Sequence, residues 1–152
     1  MEIIKINSHL NLKLQISNNV FKPTSTSNIL IKSASKKITS NSKILDLGCG
    51  SGAVGIALSK LNKITGTIYF SDLSKNALRD VKFNSNYHKI NIVAKQGSLF
   101  EPWAKNKFDF IINDVAAISQ KVAEFSNWYK GISCESGIDG TKLVNNVIAQ
   151  SK

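Results

Sequence analysis

From residue 43 the apolar run Lys43-Ile44-Leu45-Asp46 reads as a strand that runs straight into Asp46-Leu47-Gly48-Cys49-Gly50-Ser51-Gly52. A helical stretch from about Ala53 to Leu61 follows, with Val54, Ile56, Ala57, Leu58 and Leu61 on its buried side. Few architectures accept a strand, a glycine-spaced loop and a helix in that order. Glycines 48, 50 and 52 let the chain turn tightly and approach a ligand closely, and the helix N-terminus behind them offers N–H groups and the positive end of a dipole. Such a loop holds a carboxylate or a phosphate. The alternation then continues with a strand over Gly66–Phe70 and a helix capped by Ser74 that runs to about Ser85 and buries Ala77, Leu78 and Val81. Strands over Ile90–Ala94 and Phe108–Asn113 complete the pattern, which predicts an α/β domain with a parallel sheet.

Outside this repeat the chain is less regular. Glu2–Ile6 and Leu10–Ile16 flank Asn7-Ser8-His9 and predict a hairpin, so residues 1–19 are expected as a short N-terminal strand extension to a domain covering 20–152. A polar turn over Val20–Ser27 leads to a helix over Asn28–Ser35 with Ile29, Leu30, Ala34 and Ile38 as its stripe and Ser25 or Ser27 as its cap. After the fourth strand come a short helix near Ser119–Phe125, a loop with Gly131, Gly137 and Gly140, and a helix over Thr141–Ala149. A strand is expected next. Without one, the apolar fourth strand lies at a sheet edge, a pairing liability, and the expectation is a fragment lacking its C-terminal strands or an edge covered by a partner.

Composition narrows the classes. At 152 residues and 42% hydrophobic content the chain is one domain's worth. No apolar run approaches the roughly 20 residues of a membrane helix, and the N-terminus lacks a signal pattern. Cys49 and Cys134 are far apart and match no metal-ligand spacing, and small secreted domains carry more cysteines, so no metal, no membrane and a cytoplasmic setting are expected. The formal charge of +10 is either a solvated lysine coat or a basic face for nucleic acid. Arg79 is the single arginine, although arginine grips phosphate better than lysine does.

The chemistry-bearing residues cluster on one rim. Gly50-Ser51-Gly52-Ala53-Val54-Gly55 is a literal dinucleotide fingerprint, which keeps a nicotinamide-dependent oxidoreductase in view. Against it, Asp46 puts a negative charge that would suit the amino group of a methionine moiety and repel a pyrophosphate, and 152 residues supply no substrate domain. Asp72 closes the second strand 20 residues after Gly52, the spacing at which an acid reaches the two ribose hydroxyls of an adenosine; its alternative role is to cap the helix at Ser74. Gln96–Pro102 forms the next loop on the rim, with Ser98 and Leu99 as candidates to border an adenine. His9 and His88 stand in polar contexts and are expected in solvent. Trp103 and the Trp128-Tyr129 pair either stack on a base or pack against the sheet, packing being the commoner use.

Four segments together resemble the successive motifs of the Rossmann-like class I methyltransferases: Asp-Leu-Gly-Cys-Gly-Ser-Gly-Ala from 46, Ser-Asp-Leu-Ser-Lys-Asn-Ala-Leu from 71, Gln-Gly-Ser-Leu-Phe-Glu-Pro from 96 and Phe-Asp-Phe-Ile-Ile-Asn from 108. Val20-Phe21-Lys22-Pro23 and Gly137-Ile138-Asp139-Gly140 are similar to elements of the methyltransferase small domain group, which includes the HemK-type glutamine methyltransferases. The resemblance implies S-adenosylmethionine as methyl donor, held by Asp46, Gly48, Cys49, Gly50, Gly52, Asp72, Leu73, Ser98, Leu99 and Asn113. It implies transfer to a nitrogen of a protein or nucleic acid, with Asn113 and Asp114 as the catalytic candidates. Two positions depart from the pattern. Ser98 stands where the group commonly has Asp, and Asn113-Asp114-Val115-Ala116 stands where amino-methylating members carry Asn-Pro-Pro-Tyr, whose Asn and aromatic residue orient the acceptor. Asp114 is accordingly either a base or acceptor contact or a surface acid. The departure also leaves open a cofactor-binding module without transfer.

Overall fold

The computed structural model describes residues 1–114, 117–126 and 136–151. The chain divides into two compact units, Met1–Asp114 and Val115–Lys152.

The first unit is built on a four-stranded parallel sheet of order β5-β4-β3-β6. β3 (Ile44–Leu47) lies at its centre, with β4 (Ile68–Asp72) on one side and β6 (Phe110–Asn113) on the other, while β5 (Ile92–Gln96) extends the β4 side. Register pairs Leu45 with Tyr69 and Ile111, and Phe70 with Ala94. Alternate residues Ile44, Ile68, Phe70 and Ile112 point to one face, where they form a core with Ile56, Leu58 and Val81. The last three come from α2 (Ala53–Leu61) and α3 (Lys75–Tyr87). Gly55 lets α2 sit close on the sheet, because a Cβ there would stand 2.5 Å from the Phe70 ring.

The β4, β5 and β6 segments begin about two residues later than the period-2 reading expected. Gly66 is exposed, and Phe108 joins an edge-to-face cluster with Tyr69 and Trp103 in place of the ladder. Trp103 is 2% exposed within that cluster and thus packs against the sheet. Trp128 and Tyr129 lie outside the described residues, as do Gly131 and Cys134.

The N-terminal hairpin of β1 (Glu2–Lys5) and β2 (Asn11–Leu14) turns on Asn7, whose Oδ1 accepts the N–H groups of His9 and Leu10 at 2.8 Å each. Expected as an extension, it puts Leu12 and Leu14, both 0% exposed, into the main core. β2 stops at Leu14 because the backbone of Gln15 turns to the Asn84 side chain on α3 instead of a strand partner. His88 also departs from expectation: it is half-buried, its Nε2 meets the Lys13 carbonyl at 3.1 Å, and burial pulls its pKa below the ordinary value.

α1 (Ser25–Ser35) begins three residues earlier than the stripe predicted, with Thr24 as its N-cap. Ser27 is not the cap but answers it, accepting the Thr24 N–H at 3.2 Å. Ile31 and Ser27 form the buried face of α1, and Ile29 is 65% exposed, so its place in the apolar stripe is corrected.

In the second unit α4 (Gln120–Phe125) is capped by Ser119 and α5 (Lys142–Gln150) follows a turn centred on Asp139, which accepts both the N–H and the hydroxyl of Thr141. Among the described residues no helix is long and apolar enough to cross a membrane.

Candidate active site

All four strands of the sheet are parallel, so Leu47, Asp72, Gln96 and Asn113 end on one rim, the place where open α/β sheets bind ligands. The glycine loop is laid down on this rim by backbone bonds. The Ser71 carbonyl accepts the N–H groups of Gly48 at 2.8 Å and Cys49 at 3.0 Å, and Gly52 N–H closes on the Cys49 carbonyl at 2.8 Å. Gly52 has φ +80, and a Cβ on it would lie 2.4 Å from Cγ2 of Val81. Only glycine satisfies both conditions.

Asp72 fastens three loops at once. Its Oδ2 accepts Gly50 N–H at 2.9 Å, its Oδ1 accepts Ser74 N–H at 2.8 Å, and its carbonyl accepts Gly97 N–H at 3.2 Å. The capping role and the loop-holding role are therefore compatible, and each carboxylate oxygen keeps a lone pair for a further donor. The apolar Leu73 beside it is 57% exposed. Ser74 accepts from Ala77 N–H, as the cap reading predicted.

Asp46 is 2% exposed, with its Oδ2 accepting Gly55 N–H at 2.8 Å. Burial pushes its carboxyl up to about 8 from 3.8, with the charges of Asp114 and Asp72 adding and the Gly55 N–H opposing. Burial thus favours the protonated form of Asp46 over a standing negative charge, and an arriving cation would favour its ionised form. Burial likewise pushes the Cys49 thiol well up, which disfavours its thiolate.

On β6, next to β3, Asn113 donates from Nδ2 to the Leu47 carbonyl at 3.1 Å. That bond orients its Oδ1 as the amide's remaining acceptor. Asp114 is partly buried and accepts the Ser27 hydroxyl at 2.5 Å, which ties it to the first turn of α1. Val115 and Ala116 lie outside the described residues. Ser98 and Leu99 stand in the loop after β5, held by Glu101 through the Ser98 N–H at 3.0 Å and not by the glycine loop. Leu99 adopts φ +43, a strained conformation for its side chain.

Three polar residues escaped the sequence reading. Ser27, a cap candidate by sequence, is the partner of Asp114. Asp80 and Asn84, both 0% exposed, face the core side of α3 and bind the segment after β2. Their signal was present as spacing: 77, 80, 81 and 84 follow the helical period of the buried stripe.

The rim fits an adenosine-bearing donor. Asp72 has acceptor capacity for ribose hydroxyls, Leu73 offers an apolar surface next to it, and a Cβ at Gly50 would meet nothing nearer than 3.8 Å. On that side the Phe21 carbonyl and a Val20 methyl group pack against the loop at ordinary contact distance.

Comparison with known proteins agrees with this geometry. Residues 11–117 match the family model of the methyltransferase small domain. The release factor glutamine methyltransferase of Buchnera aphidicola subsp. Acyrthosiphon pisum is 32% identical over 99% of this chain and 56% of its own length. That of Aliivibrio fischeri is 35% identical over 68% of the chain and 37% of its own length. The chain thus spans about half or less of the length of these relatives. Among solved structures, the T. Thermophilus 16S rRNA N2 G1207 methyltransferase in complex with AdoMet and guanosine superposes with a TM-score of 0.65 at 16% identity, covering 74% of this chain and 31% of that one, a likeness of fold. The strand order, the glycine loop and the matched residues lead to one conclusion: the chain belongs to the methyltransferase small domain family, on a Rossmann-like α/β sheet.

Proposed function

We propose that this chain binds S-adenosylmethionine on the rim formed by β3 and β4 and takes part in methyl transfer to a nitrogen of a protein or nucleic acid. The observation that carries the reading is the position of Asp72, which clamps the glycine loop, the start of α3 and the loop after β5 while each of its carboxylate oxygens keeps acceptor capacity. In the proposed arrangement Asp72 takes the ribose hydroxyls, and Leu73 with Ser98 and Leu99 borders the base. Gly48, Cys49, Gly50 and Gly52 line the path of the methionine moiety, whose ammonium group favours ionised Asp46.

The donor supplies a methyl group already activated on a sulfonium, so the protein's part is alignment and exclusion of water. Asn113 is proposed to contribute its Oδ1, oriented by the Leu47 bond, as an acceptor for an N–H of the substrate nitrogen, turning that nitrogen's lone pair toward the methyl carbon. A nitrogen methylated there would carry one proton in excess, which a group of the protein or solvent would have to receive. Asp114 is the nearby carboxylate in this proposal, and its bond from Ser27 sets where such a proton would be received.

A second reading, donor binding without transfer, draws on that same bond: Asp114 is already engaged by Ser27 at a position where amino-methylating members carry proline. The names of the relatives favour a release factor as acceptor, and the RNA methyltransferase of like fold keeps nucleic acid in the proposal. We further propose a cytoplasmic setting, and strand pairing along β6, which is bonded to β3 alone among the described residues. Incubation of the protein with a methyl-labelled donor and cell extract tests the reading. Label on a macromolecular nitrogen is expected; donor binding with no label transferred would leave the binding module in its place.

A further inference from the structure

We propose that Asn84 is the positioning residue of the donor loop, joining that loop to the chain segment that leaves the N-terminal hairpin; the inference rests on the donor reading above. Asn84 lies on α3 at 0% exposure and uses both ends of its amide. Its Oδ1 accepts Gln15 N–H at 2.7 Å, and its Nδ2 donates to the Gln15 carbonyl at 2.8 Å and to the Ser51 carbonyl at 2.9 Å. The first two bonds imitate a strand partner for Gln15. The third reaches the residue between Gly50 and Gly52.

A second contact points the same way. Val81, three residues earlier on the same face of α3, fills the space that a Cβ on Gly52 would need. Val81 therefore shapes the loop by volume and Asn84 pins it by a hydrogen bond. Ser51 itself is 2% exposed, so water does not replace a lost partner for its carbonyl. One turn away, Asp80 accepts from Gln15 Nε2 at 2.9 Å and from Ser17 N–H and Oγ at 2.6 and 2.7 Å, anchoring the segment without touching the loop. That segment runs on to Val20 and Phe21, which lie 3.9 and 3.8 Å from a Cβ built on Gly50. Asn84 thus sits where the loop's underside and the segment meet.

The division of labour between Asp80 and Asn84 gives the test. Affinity for S-adenosylhomocysteine is measured by calorimetry well below the melting temperature for the unaltered chain, Asn84→Ala and Asp80→Asn. Both variants are expected to melt lower. Asn84→Ala should bind about tenfold more weakly, as befits a bond whose loss frees the loop, and Asp80→Asn should stay within about threefold of the parent. Equal affinities for Asn84→Ala and the parent would overturn the inference. If the parent itself binds neither S-adenosylhomocysteine nor S-adenosylmethionine, it is the donor reading that fails. Should Asn84→Ala not fold, an NMR titration of the unaltered chain decides: the Asn84 side-chain amide protons are expected to shift and exchange more slowly on adding ligand, and unmoved signals overturn the inference.

Discussion

The part of the ligand rim at β3 and β4 and the part at the neighbouring β6 are built differently. Around β3 and β4 the chain is held mainly by its own backbone: Ser71 gathers Gly48 and Cys49, Cys49 gathers Gly52, and Asp72 closes the ring through Gly50. At the end of β6 the side chains do more of the holding: Asn113, the last residue in register with β3, donates its amide to the Leu47 carbonyl, and Asp114 just beyond the ladder accepts from Ser27. A backbone-built loop requires particular residues, above all glycine, and so announces itself as a motif. A site built on side-chain bonds carries a weaker sequence signature, and the segment Asn113–Ala116 is where the sequence departs from the motif that the resemblance implied.

The strongest way to break this contrast is to add a side chain to the backbone-built part. Gly52→Val meets both the positive φ and the Val81 methyl, and we expect a loss of about 3 kcal/mol or more in urea unfolding, enough to unfold a marginal domain. Gly52→Ala combined with Val81→Ala should recover the packing part and keep the strain part.

Asp72→Ala comes next. It removes two charge-assisted bonds and the proposed ribose acceptor, each worth about 1.5–3 kcal/mol, so donor affinity should fall at least tenfold in calorimetry. Unchanged binding would remove Asp72 from the donor site.

The pH dependence of stability sharpens the comparison at Asp46. Its carboxyl stands at about 8 in the folded chain against 3.8 for the ordinary group, so between those values the folded state holds a proton that the unfolded state has released. The stability this gives is fully present below about pH 3.8 and is lost as pH rises through about 8. Asp46→Asn should flatten the decline between pH 4 and pH 8 in parallel denaturation series. A decline of the same slope in the variant would mean that another group carries it.

The smallest effect on the donor is expected from the side-chain-built part. Asn113→Ala leaves the Leu47 carbonyl without its side-chain partner, which costs about 1 kcal/mol of stability, and, with Asn113 only one of the residues expected to hold the donor, lowers donor affinity by only about two- to threefold. Methyl transfer should nevertheless disappear, so label incorporation and calorimetry are expected to diverge in this variant as they do in no other.

The same contrast explains what the sequence disclosed. The glycine loop, the Ser74 cap, the parallel strand alternation and the packing use of Trp103 were all legible, because each depends on residues a few positions apart or on one aromatic's preference for burial. The strand starts were misjudged by about two residues because period-2 alternation shows which residues share a face but not where a neighbour begins to pair. The exposure of Ile29 and the burial of Ser27 depend on which face of α1 meets the rest of the unit. Asp80 and Asn84 were passed over because their partners, Gln15 and Ser17, are more than sixty residues away, and nothing local shows a polar side chain that it will be satisfied. The Ser27–Asp114 bond spans 87 residues and was hidden for the same reason.

The central claim is that the backbone-built part of the rim is a methyl-donor site. Calorimetric titration of the unaltered chain with S-adenosylmethionine and, separately, with NAD tests it most directly, because Gly50–Gly55 satisfies the dinucleotide fingerprint as well. Saturable binding of S-adenosylmethionine with none of NAD is the predicted result. Binding of NAD alone would contradict it.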